Sequence, residues 1–377
     1  MKSIFYCGLL LLLFSSCNSR TTGLQTVDYH IVPPTSLLSE ETVFSSLLEE
    51  FRYIIPEASE ESMFSYISKA YIYQGRIYLS DRDNQDKILV FDSSNGKYLF
   101  GIGRQGRAGN EYTRLGGFTI DKERGRILIL DYIKNKVLVY NATTGEFQDS
   151  FELGFTAMNI EYIDKNTLAF EGIGVNQDVL CITDMDGGNM SSYFHPNGKN
   201  RVSLINPFSR GDNNEVVFRT HLSDSLHTIT KQGPVFSRFV DFGSDALTWE
   251  KFVSYSEVDR ENIRQYLGEY RAGIRYYAET NSHISFIYFD KGAPTCTVFN
   301  KRDSDTFSYS VFFYNDIVFD QYVPLIVAAD DGFFIGQSDA YSIVENIERL
   351  SLTDIPEDLK NLTSSDNPVL TFLKFKK

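Results

Sequence analysis

Short runs of alternating apolar and polar residues recur along the chain, and most of them end at Asp, Asn or Gly. Two stretches match closely: one begins at Arg76 (RIYLSDRDNQDKILVFDSSNGKYLF) and the other begins 50 residues later, at Arg126 (RILILDYIKNKVLVYNATTGEFQDSF). In both, an aspartate ends the first apolar run, at Asp81 and at Asp131. Alternation with a period of two residues predicts half-buried strands. Each stretch therefore predicts three strands joined by two tight turns.

Fainter copies of this unit begin at Asn166, Asn214, His283 and Asp331. About six units at a spacing of roughly 40–50 residues are typical of the blades of a β-propeller. A single sheet of this kind cannot bury both of its faces, whereas sheets stacked in a ring can do so. The sequence therefore predicts an all-β, six-bladed β-propeller of four-stranded antiparallel blades, with one or two short helical insertions.

Two segments depart from the alternation. Residues 37–51 carry apolar side chains at helical spacing, and so do residues 249–270, within a predicted insertion at about 248–272. The second helix either covers an exposed edge of the fold or acts as a lid over a substrate. Because a ring must be closed, we expect a strand at 27–33 to complete the last blade beside residues 368–375.

The N-terminus has the pattern of an export signal. Lys2 precedes an apolar run over residues 4–14, which is too short to span a bilayer and is typical of a signal peptide. Two serines precede Cys17, and this arrangement resembles the lipobox of bacterial lipoproteins, in which the cysteine receives a diacylglycerol. The alternative is an ordinary secretory signal with an incidental cysteine. The lipoprotein interpretation divides the chain into a signal peptide at 1–16, a tether at 17–26 and a single propeller domain at 27–377.

The formal net charge of the chain is −14, which argues against nucleic acid as a partner and against adhesion to anionic lipid by charge alone. Beyond the export segment the chain has two cysteines, Cys181 and Cys296, both in strand-like stretches. Two buried thiols are favoured over a disulfide. The histidines are scattered without zinc spacing, and no hydrolase or metalloprotease motif is present. We therefore expect no metal and no cofactor.

The stretch that begins at Gly101, GIGRQGRAGNEY, contains the pattern G-x-G-x-x-G. A dinucleotide-binding loop needs a helix directly after its glycines, because the amides of the helix N-terminus bind the pyrophosphate. Here Gly106 is followed by RAGNEYTRLGG and then by an alternating, strand-like run. Glycines that permit positive φ and close backbone approach fit a connection between two blades. We therefore interpret this loop as a link between blades.

Residues 100–147 resemble NHL-type propeller repeats, and they are still more similar to the six-bladed β-propeller lipoproteins of Gram-negative gut bacteria. The connection between blades in that family typically runs Gly-x-x-Gly-x-Gly-Pro-Gly-Glu-Tyr. At positions 108–110 the chain has Ala, Gly and Asn where the family has Gly, Pro and Gly. The positions that match are Gly103, Gly106, Glu111 and Tyr112. The resemblance implies an exported, lipid-anchored propeller.

One predicted loop carries the densest cluster of polar residues, and it offers a candidate ligand site. The cluster consists of Arg104, Arg107, Asn110, Glu111 and Tyr112. Propellers bind ligands where the connections between blades converge. On a binding interpretation, the two arginines contact an anion and the tyrosine ring stacks on the ligand. On the structural alternative, the glutamate and the tyrosine hold the loop in place while the arginines are solvated.

Two functions fit these observations. The first is a non-enzymatic binding or scaffold protein of the cell envelope, attached to the membrane through a lipid anchor on Cys17 and recognising a protein, peptide or glycan. The second is a propeller hydrolase or lyase with a metal-dependent site at the mouth of the channel. No acidic run of the kind associated with surface export follows Cys17. We therefore expect the protein at the periplasmic face of the outer membrane.

Overall fold

A computed structural model describes the chain over residues 28–39, 41–81, 86–172, 178–195, 206–211, 214–220, 222–248, 251–252, 254 and 268–377. Its strands form six sheets that follow one another around an axis as the blades of a β-propeller, which confirms the predicted fold class. Five of the sheets have four strands and the sixth has a fifth strand at its edge.

Two N-terminal strands, β1 (Tyr29–Ile31) and β2 (Leu48–Ile54), precede the blades and join them from outside. Blade 1 consists of β3 (Lys69–Tyr73), β4 (Arg76–Asp81), β5 (Lys87–Asp92) and β6 (Tyr98–Gly101). Blade 2 consists of β7 (Leu115–Asp121), β8 (Arg126–Asp131), β9 (Lys136–Asn141) and β10 (Phe147–Glu152). Blade 3 consists of β11 (Ala157–Asp164), β12 (Thr167–Gly172), β13 (Leu180–Thr183) and β14 (Ser191–Tyr193).

The remaining blades follow the same order, with the innermost strand first. Blade 4 consists of β15 (Phe208–Arg210), β16 (Val216–Arg219), β17 (Ser225–Thr230) and β18 (Gly233–Val240). Blade 5 consists of β19 (Arg271–Glu279), β20 (His283–Asp290), β21 (Ala293–Asn300) and β22 (Thr306–Ser310). Blade 6 contains β23 (Leu325–Asp330), β24 (Phe333–Ser338) and β25 (Val369–Phe375). We define the upper face as the end of the ring at which the outermost strand of one blade connects to the innermost strand of the next blade.

The aspartate repeated in the sequence has the same structural role in blades 1 and 2. Asp81 Oδ2 accepts a hydrogen bond from the backbone N–H of Ser65 at 2.9 Å, and Asp131 Oδ2 accepts one from the N–H of Thr113 at 2.7 Å. Both carboxylates are buried. A buried carboxylate needs such donors, so each aspartate ties its blade to the segment that leads into an innermost strand.

The ring is closed by β2, and the predicted closing strand at 27–33 is wrong. β2 pairs antiparallel with β25 and becomes the outermost strand of blade 6. The helix predicted over 37–51 is also wrong, because this segment forms a single 3-10 turn, Phe44–Leu47, that leads directly into β2. The apolar residues at helical spacing therefore belong to a turn followed by a strand. Pairing with β25 favours the extended conformation of that strand over a helix.

β1, which was expected in the last blade, instead pairs parallel with β18 and adds a fifth strand to blade 4. Its residue Ile31 is fully buried against the apolar cluster shared by blades 4 and 5. On the same strand, the Tyr29 ring lies beside the Arg238 guanidinium, 5.6 Å from it. The added strand covers an edge that would otherwise present unpaired backbone groups.

Two short helices follow β24, and the sequence pattern did not predict them. They are α1 (Ala340–Leu350) and α2 (Glu357–Lys360). Asp339 caps α1 by accepting a hydrogen bond from the N–H of Tyr341, and Ser351 ends it in the left-handed conformation. Of the helix expected within 248–272, Lys251 and Phe252 are helical, while residues 255–267 lie outside the described part of the chain.

Cys181 and Cys296 are buried free thiols, as predicted. Burial raises the pKa of the Cys296 thiol to about 11, so it stays protonated. Within the described residues, no helix combines the length and the apolar character needed to cross a membrane.

Candidate functional site

The five residues predicted as a ligand site lie together on the loop between β6 and β7, and several of their polar groups form hydrogen bonds within the protein. Glu111 accepts hydrogen bonds from Arg104 Nε at 2.6 Å and from the backbone N–H of Ala108 at 2.9 Å. The hydrogen bond from Ala108, followed by that from Arg104, lowers the pKa of Glu111. The carbonyl of Asn110 accepts the Tyr140 hydroxyl at 2.7 Å.

Tyr112 and Arg107 occupy opposite environments in this loop. Tyr112 is 1% exposed and donates its hydroxyl to the carbonyl of Asp86 at 2.6 Å, so its ring face is not available for stacking on a ligand. Arg107 is exposed to solvent. This geometry fits the structural alternative for Glu111 and Tyr112, and it leaves the two arginines as solvent-facing cations.

The glycines of the loop allow neighbouring side chains to lie close to the backbone, and they do not form a phosphate-binding turn. A Cβ on Gly106 would lie 2.0 Å from Glu111 Oε2, and Gly103 has φ of +65° beside the Tyr140 hydroxyl. The element that follows the loop is the strand β7. A dinucleotide site would require a helix at that point.

A cluster of largely buried side chains, here called the axial cluster, joins the innermost strands of blades 1 to 4. It is formed by Lys69, Tyr71, Thr119, Glu161 and Arg210. At its centre, Glu161 Oε2 lies 2.5 Å from Lys69 Nζ and Oε1 lies 2.9 Å from Arg210 Nη2. The hydroxyls of Tyr71 and Thr119 donate to the same carboxylate at 2.7 and 2.9 Å. Burial by itself raises the pKa of Glu161, but the two cations outweigh it and hold the pKa below its ordinary value.

A second ion pair lies nearer the lower end of the axis. Lys122 Nζ lies 2.8 Å from Asp330 Oδ2, which also accepts the backbone N–H of Ile72 at 3.0 Å. The cavity between this pair and the axial cluster has a volume of about 30 Å³, which is room for about one water molecule. Among the described residues, the cavity beside the axial cluster is therefore too small for an organic ligand of ordinary size.

A larger pocket opens at the upper face between blades 5 and 6, and we call it the aromatic pocket. Its volume is about 320 Å³, within the size range of sites for small organic ligands. The lining side chains are mostly apolar, with one cation among them. They are Arg275, Tyr276, Ile287, Phe289, Pro294, Val311, Tyr322, Val323, Pro324 and Leu325.

A distortion of the innermost strand brings two neighbouring side chains into this pocket. Successive residues of a regular strand point to opposite faces of the sheet, yet both Arg275 and Tyr276 line the pocket. The pairing of β19 with β20 shifts register on each side of Arg275, and Tyr276 has φ of +49°. Bulges redirect side chains, and left-handed non-glycine residues concentrate at functional sites. The Tyr276 hydroxyl also accepts a hydrogen bond from the Tyr66 hydroxyl at 2.9 Å.

Exposed aromatic rings border the aromatic pocket on the loop between β22 and β23. Phe312 is 63% exposed and Tyr322 is 38% exposed, and their ring centroids are 5.6 Å apart. Tyr314 on the same loop is also exposed. Exposed apolar rings beside a concave surface mark a binding site more often than chance would allow.

The aromatic pocket contains one positive charge. The Arg275 guanidinium lies 5.1 Å from the centroid of the Phe289 ring, in a cation–π arrangement. No carboxylate of the described residues forms an ion pair with it. None of the five residues of the predicted loop site lines this pocket. The signals in the sequence were the runs RYYAE and FFYNDIVFDQY, in which aromatic residues accumulate without strict alternation.

The fold and the pocket together define the class of protein, which is a six-bladed β-propeller with an open aromatic pocket on one face. Residues 31–374 match the family described as "Domain of unknown function (DUF4934)", and the chain belongs to that family. No curated protein matches the chain.

Two solved structures from Bacteroides share the fold. A protein of Bacteroides fragilis described as exported is similar over 92% of this chain and 99% of its own, with 16% identity and a TM-score of 0.79. A member of the duf4221 family from Bacteroides vulgatus is similar over 87% of this chain and 97% of its own, with 12% identity and a TM-score of 0.52. Similarity at these identities extends to the fold and not to the ligand.

Proposed function

We propose that the protein is an exported, lipid-anchored β-propeller of the cell envelope that binds a ligand without catalysis, in the aromatic pocket. The observation that carries the binding role is the open, ring-lined cavity of about 320 Å³ at the upper face. The much smaller volume of the cavity beside the axial cluster supports the same location. Aromatic side chains supply large, rigid contact areas for peptides and for the apolar faces of sugars.

The proposed membrane attachment rests on the lipobox-like sequence that ends at Cys17 and on the resemblance to NHL-like propeller lipoproteins. Multiple acyl chains on one cysteine give stable attachment, whereas a single chain gives marginal binding. The chain is then held at the periplasmic face of the outer membrane by a tether over residues 17–26.

A fractionation experiment tests the anchor. The full chain, produced in a Gram-negative host and fed radiolabelled palmitate, is expected to incorporate label and to partition into detergent, and Cys17→Ala is expected to do neither. Cys7→Ala, which alters the other cysteine of the export segment, is the matched control and is expected to behave as the unaltered chain does. Unlabelled, water-soluble protein with Cys17 intact would rule the anchor out.

A binding screen tests the pocket. The chain is applied to arrays of peptides and glycans, and the dissociation constant of each positive probe is then measured for variants. Tyr322→Ala is expected to weaken binding by about tenfold or more, the effect of losing one well-packed aromatic contact. Tyr341→Ala removes an exposed tyrosine on α1 and is the control. Loss of binding in Arg104→Gln and Arg107→Gln, with Tyr322→Ala unaffected, would move the site to the loop predicted from the sequence.

The alternative function, a metal-dependent hydrolase or lyase, has no supporting observation. Among the described residues, no group of three or more His, Cys, Asp or Glu side chains is arranged to hold a metal ion.

A further inference from the structure

We propose that the aromatic pocket selects a carboxylate attached to an aromatic or branched aliphatic group, with Arg275 binding the carboxylate. This inference rests on the proposed binding function and names the class of ligand.

The charge of the pocket favours an anion. The chain as a whole is acidic, with a formal net charge of −14, yet the charged side chain that lines this pocket is an arginine. The Arg275 guanidinium has no ion-pair partner among the described residues, and it rests on the Phe289 ring. A guanidinium matches a carboxylate with two parallel hydrogen bonds, so Arg275 offers a site that the protein itself leaves unused.

The rest of the lining favours an apolar body on that anion. Ile287, Val311, Val323 and two prolines surround the cavity, and aromatic rings stand at its rim. A polyhydroxylated ligand would leave its hydroxyls without partners against such walls, at a cost in free energy. A ring or branched side chain would instead remove its own surface and that of the walls from water.

The strained geometry of β19 supports a binding role for Arg275. The register shifts on both sides of Arg275 and the left-handed conformation of Tyr276 cost free energy in the isolated fold. Their effect is to place a cation and an aromatic ring on the same side of the strand.

The test compares matched probes by isothermal titration calorimetry. The protein is the full chain carrying Cys17→Ala, so that no acyl chain competes for the pocket. The probes are 3-phenylpropionate, its neutral amide 3-phenylpropanamide, and N-acetylphenylalanine, which mimics the C-terminal residue of a peptide. We expect saturable binding of at least one of the two acids, and binding of the neutral amide that is weaker than that acid by about tenfold or more.

Substitutions then show which residue binds the carboxylate of the ligand and which one contacts its apolar group. Arg275→Gln is expected to weaken acid binding by about tenfold and to leave the amide unchanged, whereas Tyr322→Ala weakens acid and amide alike. Arg302→Gln, an exposed arginine at the opposite end of blade 5, is the matched control. Arg275 is exposed, so its substitution is expected to leave the melting temperature unchanged, and that temperature is measured alongside.

The outcomes separate this inference from the proposed function. Tighter binding of N-acetylphenylalanine than of 3-phenylpropionate identifies a peptide C-terminus as the source of the carboxylate, and the reverse order identifies a free acid. Equal binding of acid and amide, or acid binding that survives Arg275→Gln, overturns the inference and leaves the proposed function standing. Absence of acid binding overturns it too. If array probes are also insensitive to Tyr322→Ala, the proposed function fails as well.

Discussion

Lys69 Nζ lies 2.5 Å from Glu161 Oε2, and the two buried side chains join the innermost strands of blades 1 and 3 across the axis of the ring. Arg210 reaches the same carboxylate from blade 4. Charged groups removed from water are stable when they are paired and hydrogen-bonded. The axial cluster therefore holds non-neighbouring blades together.

Removing the charge at the centre of this cluster is expected to destabilise the fold strongly. Glu161→Gln removes the carboxylate charge that Lys69 and Arg210 share, and we expect it to lower the free energy of unfolding by about 3–5 kcal/mol. Urea denaturation measures this change. Glu152→Gln alters an exposed glutamate on β10 and is expected to have little effect.

The same substitution is expected to alter the response to acid. The pKa of Glu161 is lower in the folded state than in the unfolded chain. Its contribution to stability is therefore present above the unfolded-state pKa and is lost as the pH falls through the folded-state pKa. Glu161→Gln is expected to lose less stability than the unaltered chain over that range. Identical acid unfolding curves would contradict the role assigned to this carboxylate.

Ring closure by β2 predicts a marked difference between two phenylalanines of one segment. Phe44 is fully buried, with its ring edge-on to Tyr309 and Phe313, whereas Phe51 on β2 is 45% exposed. Phe44→Ala is expected to cost about 3–5 kcal/mol in the free energy of unfolding, measured by urea denaturation. Phe51→Ala is the matched control, with an expected cost of about 1 kcal/mol or less. Equal effects would argue against closure through this segment.

In the loop between blades 1 and 2, we expect substitution by alanine to have different effects on stability at two glycines. Gly103 has positive φ, and a Cβ there would lie 2.9 Å from the Tyr140 hydroxyl. Gly103→Ala is expected to cost about 1–2 kcal/mol, because left-handed backbone is unfavourable for alanine. Gly109 has open space around it, so Gly109→Ala is expected to be nearly neutral. Thermal unfolding of both variants checks this, and a neutral Gly103→Ala would contradict the backbone conformation described.

The burial of Asp320 predicts that its contribution to the free energy of unfolding changes with pH in the opposite direction to that of Glu161. Burial raises the pKa of Asp320 to about 6, and the carboxyl accepts a hydrogen bond from Ser342 Oγ at 2.6 Å. The folded state therefore holds the proton more tightly than the unfolded state, and this group lowers the free energy of unfolding as the pH rises through about 4 to 6. Asp320→Asn is expected to gain roughly 2–3 kcal/mol relative to the unaltered chain between pH 4 and pH 7.

Urea denaturation at both pH values measures that gain. Asp331→Asn, an exposed aspartate before β24, is the control and is expected to show no such gain. A constant difference between Asp320→Asn and the unaltered chain at the two pH values would show that the carboxyl titrates normally.

The blades were predictable because each one is a local pattern. In blades 1 and 2 the alternation and the turn lie within one repeat, and the aspartate accepts hydrogen bonds from the segment just before the same blade. Ring closure was not predictable, because the choice between β1 and β2 depends on pairing with β25, which lies about 300 residues away in the chain. α1 was missed because its first residues were assigned to the copy of the repeat that begins at Asp331.

The candidate site was harder to predict than the fold. The polar loop at Arg104 and Arg107 stood out in the sequence because its residues are adjacent. The aromatic pocket unites β19 with a loop more than 40 residues further along, and it depends on a bulge at Arg275 that periodicity does not reveal. A charged residue inside an apolar innermost strand, such as Glu161 in MNIEYI, was the available signal for the axial cluster.

The most direct test of ligand binding in the aromatic pocket is a crystal structure of the chain with 3-phenylpropionate. We expect the ring of the probe between β19 and residues 322–325, with its carboxylate on the Arg275 guanidinium. The same probe bound at the loop that carries Arg104 and Arg107, with an empty aromatic pocket, would contradict the account.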